Sequence, residues 1–470
     1  MQDLWRQSAS ELARNIAAKT TSSAEVVEAH LARIEAVNPA LNAIVRVLAD
    51  IARAGAAEAD RLVAAGGPLG PLHGVPFTVK ENIDLAGLPT TQGVIALAQA
   101  VSAVDAPVVE RMRAAGAIPI GRTNLPDMAL RIHTDSSLHG LTRNPWNGAR
   151  TAGGSSGGEA AALASGMTPI GLGNDIGGSL RNPAGACGIC SIKPSAGRVP
   201  DASSPPAEDR ILAVQQMAVQ GPMARTVADV RLGLKILMGA HPRDPWSIDA
   251  PFEGRPIPGK IRVAVVSAPP GGGIDPAVAA GVRRAADALA AAGYDVVEAC
   301  PPRYAEAVDV WARFIMGDFS SILPGMKPIM GADGVSFLDD VLSHVEPLTD
   351  AASFSRLLAQ RDGIAREWSI FAASHPLILT PVWTQLPFEH GFDVGRPGAA
   401  AETLELMRPV VHANLLGLPS ACVPAGVDAA SGLPVGVLLT GQRFREDLCL
   451  AAAEAVETTL GVLTPIDPRG

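Results

Sequence analysis

Residues 151–200 read TAGGSSGGEAAALASGMTPIGLGNDIGGSLRNPAGACGICSIKPSAGRVP and hold 12 of the 48 glycines in a chain of 470 residues. That is more than twice a proportional share. Two serine-bearing clusters lie inside: Gly153-Gly154-Ser155-Ser156-Gly157-Gly158, and Asp175-Ile176-Gly177-Gly178-Ser179. A flexible Gly/Ser linker would not enclose an apolar run such as EAAALASGM, so a short helix between the clusters is predicted. Glycine lets a backbone take positive φ and bring its N–H groups close to a ligand. A serine hydroxyl attacks a carbonyl once another group removes its proton. Two such clusters flanking a helix predict a hydrolytic centre, with nucleophile and oxyanion donors drawn from one segment.

Composition excludes several alternatives. Apolar residues make up 47% of the chain and charged ones 18%, which describes a protein with a large packed core. A net charge of −9 without clustered Lys/Arg argues against nucleic acid as a partner. The lysines stand only at 19, 80, 193, 235, 260 and 327, so a lysine inside a motif is informative. Five cysteines, an odd and sparse set, fit a reducing compartment. Cys187-x-x-Cys190 lacks a second ligand pair at zinc spacing and reads as packing. The N-terminus MQDLWRQSASELARN predicts no secretory signal, and no run approaches a membrane span. A cytoplasmic protein without a membrane partner is expected.

The rest of the chain reads as alternating helices and strands. Ser22-Ser23-Ala24-Glu25 is a capping box ahead of VVEAHLARIEAV, and residues 51–64 form an alanine-rich helix. The apolar segment Val75 to Val79 predicts a strand that delivers Lys80 at its end. Residues 105–124 predict a helix followed by a short strand. Proline and glycine thicken between 239 and 275, which predicts a seam within a single domain spanning 1–470. Beyond it IRVAVV, an Asp275-Pro276 helix start, AVAAGVRRAADALAAAG and YDVVEA make a βαβ unit, hence a parallel or mixed sheet with helices on its faces. Residues 301–370 are only weakly readable as helices.

The stretch GGSSGGEAAALASGMTPIGLGNDIGGSLRNPAGACGICSIKPS closely resembles the signature of the amidase signature family. The resemblance extends through GVPFTVKENIDLAGLPTT (74–91), AAGAIPIGRTN (114–124), TRNPW (142–146), GLPSACVPAG (417–426) and GLPVGVLLTGQRFREDLCLAAAEAVE (432–457). It implies an α/β fold with a large mixed β-sheet core covered by helices on both faces. It also implies a Ser–cis-Ser–Lys triad: Ser179 as nucleophile, Ser155 as bridging serine and Lys80 as general base. A lysine acts as base only when neutral, and burial lowers its pKa. The N–H groups of Ile176, Gly177, Gly178 and Ser179 would form the oxyanion hole. Ser156 would hold Lys80 in place, and Asp175 and Arg181 would pair to brace the loop. No cofactor and no metal are implied.

Gly153-x-Ser155-x-Gly157 also satisfies a nucleophile elbow, with Asp393 and His412 as candidate partners later in the chain. That reading leaves DIGGS, Lys80 and the 24-residue spacing of the two serines unexplained. No histidine pattern suits a metal: His133 and His139 are six apart, and Glu389-His390 is isolated. Residues 125–141 occupy the place where family members line the acyl-side pocket, with Ala129, Leu130 and Ile132 as its apolar wall and Trp383 as a second contributor. A primary or secondary amide with an apolar or aryl acyl group is the expected small-molecule partner, and a homodimer is compatible with this reading. The family also includes the glutaminase subunit of tRNA-dependent amidotransferases. Those subunits usually read Ser-Asp-Thr-Gly-Gly-Ser where this chain has Asn174-Asp175-Ile176-Gly177-Gly178-Ser179, and usually have serine where Glu159 stands.

Overall fold

The structure, a computed structural model, describes residues 3–202, 210–348 and 350–469. Eleven strands build one sheet: β1 Ile44–Val47, β2 Pro76–Lys80, β3 Ile118–Thr123, β4 Ile170–Asp175, β5 Cys190–Lys193, β6 Val219–Ala224, β7 Arg262–Val265, β8 Asp295–Glu298, β9 Leu377–Pro381, β10 Ser420–Val427 and β11 Pro434–Gly441. Their order across the sheet is β1-β3-β2-β4-β6-β5-β10-β11-β9-β7-β8. The pairings β2–β3, β2–β4, β7–β8 and β7–β9 are parallel. The others are antiparallel. The sheet is therefore mixed, as expected, and strands from both sides of residues 239–275 belong to it.

Side-chain alternation along the strands divides the core in two. Ile378 and Leu438 join one apolar cluster with Ala160–Ala164 and Trp311, while Leu377, Leu379, Val437 and Leu439 join another with Val282, Leu289 and Val456. Helices Gly157–Ala164 and Tyr304–Phe319 thus cover one face, and helices Pro276–Ala291 and Glu446–Leu460 the other. Local signals act where the sequence places them. Ser22 accepts from Glu25 N in a reciprocal capping box, and Asp275 Oδ1 caps its helix at Ala277 N. The weakly readable region contains helices Tyr304–Phe319, Ala332–His344 and Ala351–Ser374.

Two features of this architecture position the chemistry. Strands β2 and β4 are adjacent and parallel, in the register Phe77↔Ile170 to Val79↔Leu172, so Lys80 and Asp175 arrive at the same edge of the sheet. Carboxyl ends of parallel strands are where open α/β sheets place their ligands. The helix Gly157–Ala164 is buried along its whole length and made almost entirely of small residues. Its glycines serve close approach: a Cβ on Gly158 would collide with the Asn124 N and come within 2.7 Å of the Ala43 and Asn124 carbonyl oxygens. None of these backbone atoms can swing aside. Gly158→Ala is accordingly expected to destabilise the fold by about 1–3 kcal/mol or more, seen as a lowered midpoint in urea unfolding at unchanged m-value.

Candidate active site

Lys80 ends β2 wholly enclosed, and its Nζ donates to Ser155 Oγ at 2.7 Å and to Asn174 Oδ1 at 2.7 Å. Ser155 follows the cis peptide Gly154–Ser155 and is 1% exposed. A buried ammonium loses its hydration, and that loss lowers the Lys80 pKa to about 7, against a smaller opposing pull from Asp175 and Glu159. Burial therefore favours the neutral amine near pH 7. Asn174 carries no motif signal of its own, although it directly precedes the conspicuous Asp175. Its amide donates in turn to Asn82 Oδ1 at 2.9 Å, so a pair of asparagines fixes the lysine.

The family resemblance implies that Ser156 holds Lys80, and the structure corrects this. The Ser156 hydroxyl is buried, has no hydrogen-bond partner among the described residues and packs against Gly173, where a Cβ would lie 3.0 Å from its oxygen. Of the two adjacent serines, Ser155 is the one bonded to the lysine.

Ser179 closes the loop that leaves β4 and is 7% exposed, the least enclosed of the three. Among the described residues, the N–H groups of Ile176, Gly177 and Ser179 have no hydrogen-bond acceptor. The Gly178 N–H departs from expectation: it donates to Asp175 Oδ1 at 2.7 Å and braces the loop instead of facing the site. Gly178, at φ +104, also sits where a Cβ would meet Asn182 Nδ2 at 2.6 Å. Gly177 lies under Trp311, whose Cζ2 would stand 2.6 Å from a Cβ there, and the indole N–H donates to the Ile176 carbonyl at 3.3 Å. The Ser155 hydroxyl is engaged by Lys80 and makes no direct hydrogen bond to Ser179.

Asp175 and Arg181 form the expected pair, and it is buried, with both side chains 0% exposed. Arg181 Nε reaches Asp175 Oδ2 and Nη2 reaches Oδ1, each at 3.0 Å. Leu180 N and Asn414 Nδ2 also donate to this carboxylate, at 3.1 and 2.8 Å. Burial alone would raise the Asp175 carboxyl, but Arg181, with Lys193 and the Asn414 amide, carries it down to about 2. Arg181 donates further to the Val410 carbonyl and to Asn414 Oδ1, both at 2.7 Å. Asn414 thus clamps both partners from 233 and 239 positions away in sequence, a distance no local pattern spans.

The remaining candidates fall as follows. Ile132 is buried with its carbonyl carbon 2.6 Å from where a Cβ on Gly154 would be, so residues 131–132 lie against the Ser155 peptide. Ala129, at φ +59, and Leu130 are partly buried on the same turn. Trp383 is buried and donates to Asn182 Oδ1 at 2.9 Å, while Asn182 donates to the Gly177 carbonyl at 3.3 Å. It supports the Ser179 loop through Asn182. The elbow partners do not converge on Ser155. Asp393 is held by Arg131 at 2.8 and 2.9 Å, and His412 Nε2 lies 2.9 Å from the Tyr304 carbonyl. Cys187 and Cys190 are free buried thiols, each against a backbone carbonyl. No group of three or more His, Cys, Asp or Glu among the described residues could hold a metal ion, and no described helix is long and apolar enough to cross a membrane.

Removing one member of a buried ion pair strands the other. Arg181→Leu, which leaves Asp175 without its cation, is expected to cost about 3–5 kcal/mol of stability, read from the denaturant midpoint. Arg181→Lys recovers only part, since an ammonium cannot make the two parallel bonds.

Comparison with known proteins gives the family of the chain. The Amidase family model matches residues 25–450. An indoleacetamide hydrolase of Bradyrhizobium diazoefficiens is 41% identical over 98% of this chain and 88% of its own length. A second indoleacetamide hydrolase, of Bradyrhizobium japonicum, is 38% identical over 80% of this chain and 81% of its own length. Among solved structures, 6-aminohexanoate cyclic dimer hydrolase superposes with TM-score 0.83 at 29% identity, covering 97% of this chain and 98% of that one. A bacterial aryl acylamidase of the same family superposes at 0.82 with 28% identity, covering 96% of each chain. With the signature clusters, the mixed sheet and these relatives in agreement, the chain belongs to the amidase signature family of amide-hydrolysing enzymes.

Proposed function

We propose that this protein hydrolyses a carboxylic acid amide, through an ester on Ser179, to the carboxylate and ammonia or an amine. The observation that carries the reading is the 2.7 Å bond from a fully buried Lys80 to Ser155, at the same sheet edge as a Ser179 whose loop has unclaimed N–H groups. Neutral Lys80 takes the Ser155 proton as Ser155 takes that of Ser179, and Ser179 Oγ bonds to the amide carbon. The oxyanion is received by the N–H groups of Ile176, Gly177 and Ser179. The C–N bond then breaks, and the proton returns from Lys80 through Ser155 to the departing amine. Water enters by the same relay and cleaves the ester, restoring Ser179.

An apolar or aryl acyl group is the proposed substrate class. Leu130, Ile132, Ile176 and Trp311 supply apolar surface around the two serine clusters. The indoleacetamide hydrolase and aryl acylamidase relatives support the same class. Glu159 and the Asn174–Ile176 sequence favour a free-standing hydrolase over the glutaminase component of an amidotransferase. Amine release by the isolated chain from a panel of arylacetamides, aliphatic amides and glutamine, followed by mass spectrometry, decides between them. Release from glutamine alone would reverse the preference.

Ser179→Ala is expected to lower kcat by about 10³-fold or more with the fold intact. Hydroxylamine added to the wild-type reaction is expected to give the hydroxamate, and a fluorophosphonate to label the peptide containing Ser179. A label on Ser155 instead would move the nucleophile to the first cluster. The pH profile follows from Lys80. The protonated amine cannot accept a proton, so kcat/KM rises with pH through a limb near 7 and levels off once Lys80 is neutral. Lys80→Arg is expected to be inactive across the range, because guanidinium keeps its proton. Wild-type-like rates in that variant would remove Lys80 as base.

A further inference from the structure

The proton relay uses one buried titratable group and leaves its neighbour unexplained. Glu159, in the first turn of the helix Gly157–Ala164, is 0% exposed. Its carboxylate accepts from the Thr78 hydroxyl through Oε1 and from the Thr123 hydroxyl at 2.9 Å through Oε2. Gly171 of β4 closes the pocket, for a Cβ there would overlap Oε1. Thr78 stands two residues before Lys80 on β2, so both side chains emerge from the same face of the strand. The helix that follows Ser155 therefore also places a carboxylate against the lysine's strand. Among the described residues, its hydrogen-bond partners are these two hydroxyls and no cation.

A carboxylate buried without a cation is costly, and this one is oriented only by two hydroxyls. Two carboxylates act electrostatically on Lys80, Asp175 and Glu159. Asp175 carries a bidentate arginine, two backbone N–H groups and an asparagine amide, so its charge is already answered. The charged group that acts on Glu159 is Lys80. The demand for a counter-charge appears during the reaction. Lys80 enters attack as a neutral amine and becomes an ammonium in a dry site, and its two acceptors, Ser155 and Asn174, are both neutral.

We propose that Glu159 is a positioning residue whose carboxylate, held by Thr78 and Thr123, is the counter-charge for the ammonium formed on Lys80. The inference rests on the reading of Lys80 as the base. Burial pushes the Glu159 carboxyl up to about 7, so carboxylate and neutral amine coexist on the alkaline side, where the proposed mechanism operates. Sequence alone makes the position informative, since a serine there could accept and donate hydrogen bonds but supply no charge.

Glu159→Gln keeps the size and the hydrogen-bonding ability and removes the charge. With only six lysines in the chain, the Lys80 ammonium can be followed by nitrogen-15 lysine NMR, with Lys80→Arg giving the assignment. In Glu159→Gln the Lys80 titration and the limb of kcat/KM are both expected to move to lower pH by about one unit. The plateau is expected to fall about tenfold, because a weaker base captures the proton. Thr123→Val, which removes one donor to the carboxylate, is expected to shift the titration the same way by less, and it serves if Glu159→Gln does not fold. A Lys80 titration unchanged in a folded variant overturns the counter-charge, whatever group is the base. A titration that moves while the kinetic limb stays put upholds the pairing and overturns Lys80 as the base.

Discussion

The carboxylate of Asp175 is the point on which the site depends. It ends β4, and its two oxygens take donors from the following residues of its own loop, from Arg181 and from Asn414 across the molecule. A loop of Ile-Gly-Gly-Ser has little conformational preference of its own. Each bond to Asp175 removes freedom from that loop, and Arg181 prevents the buried charge from becoming a liability. The arrangement consumes the Gly178 N–H, which the carboxylate takes. In exchange Ile176, Gly177 and Ser179 present their N–H groups in one fixed disposition. Donors held in this way are what the proposed stabilisation of an oxyanion requires.

A second constraint is dryness. Lys80, Ser155, Ser156 and Glu159 are all essentially inaccessible, and the helix between the serine clusters is built from small residues so that it can lie against backbone on several sides. Under the proposed reading of Lys80 as the base, the same exclusion of water that favours its neutral amine raises the cost of its ammonium. A base of this kind works best when the site can answer that charge, and the geometry around Glu159 meets that requirement without a direct salt bridge. Asn174 and Asn82 fix the amine's direction without adding charge.

Trp311 and Trp383 show how the support reaches beyond the signature. Trp311 comes from a helix of the 301–370 region and covers Gly177, while Trp383 holds Asn182 beneath the same loop. Segments that carry no signature residue thus touch the Ser179 loop directly. A substitution there can alter the site without approaching the signature in sequence.

What the sequence determined by itself is local and chemical. The two serine clusters, Lys80 at the end of an apolar segment, the caps at Ser22 and Asp275, and the βαβ unit are legible because each is written within a few residues and has one physical reading. Three decisions belong to the tertiary structure alone. Which serine faces the lysine depends on the direction of the chain as it enters a helix, and Ser155 and Ser156 are equivalent in composition. Which N–H groups stay free depends on where the Asp175 oxygens point, and this removes Gly178 from the expected set. Which side chains brace the loop depends on contacts such as Asn414 to Asp175, whose residues share no periodicity and meet only because the β4 loop and the segment before β10 are folded against one another. Short-range chemistry can be read from the order of residues, whereas the direction of a side chain and the partner of a buried charge are set by packing across the whole sheet.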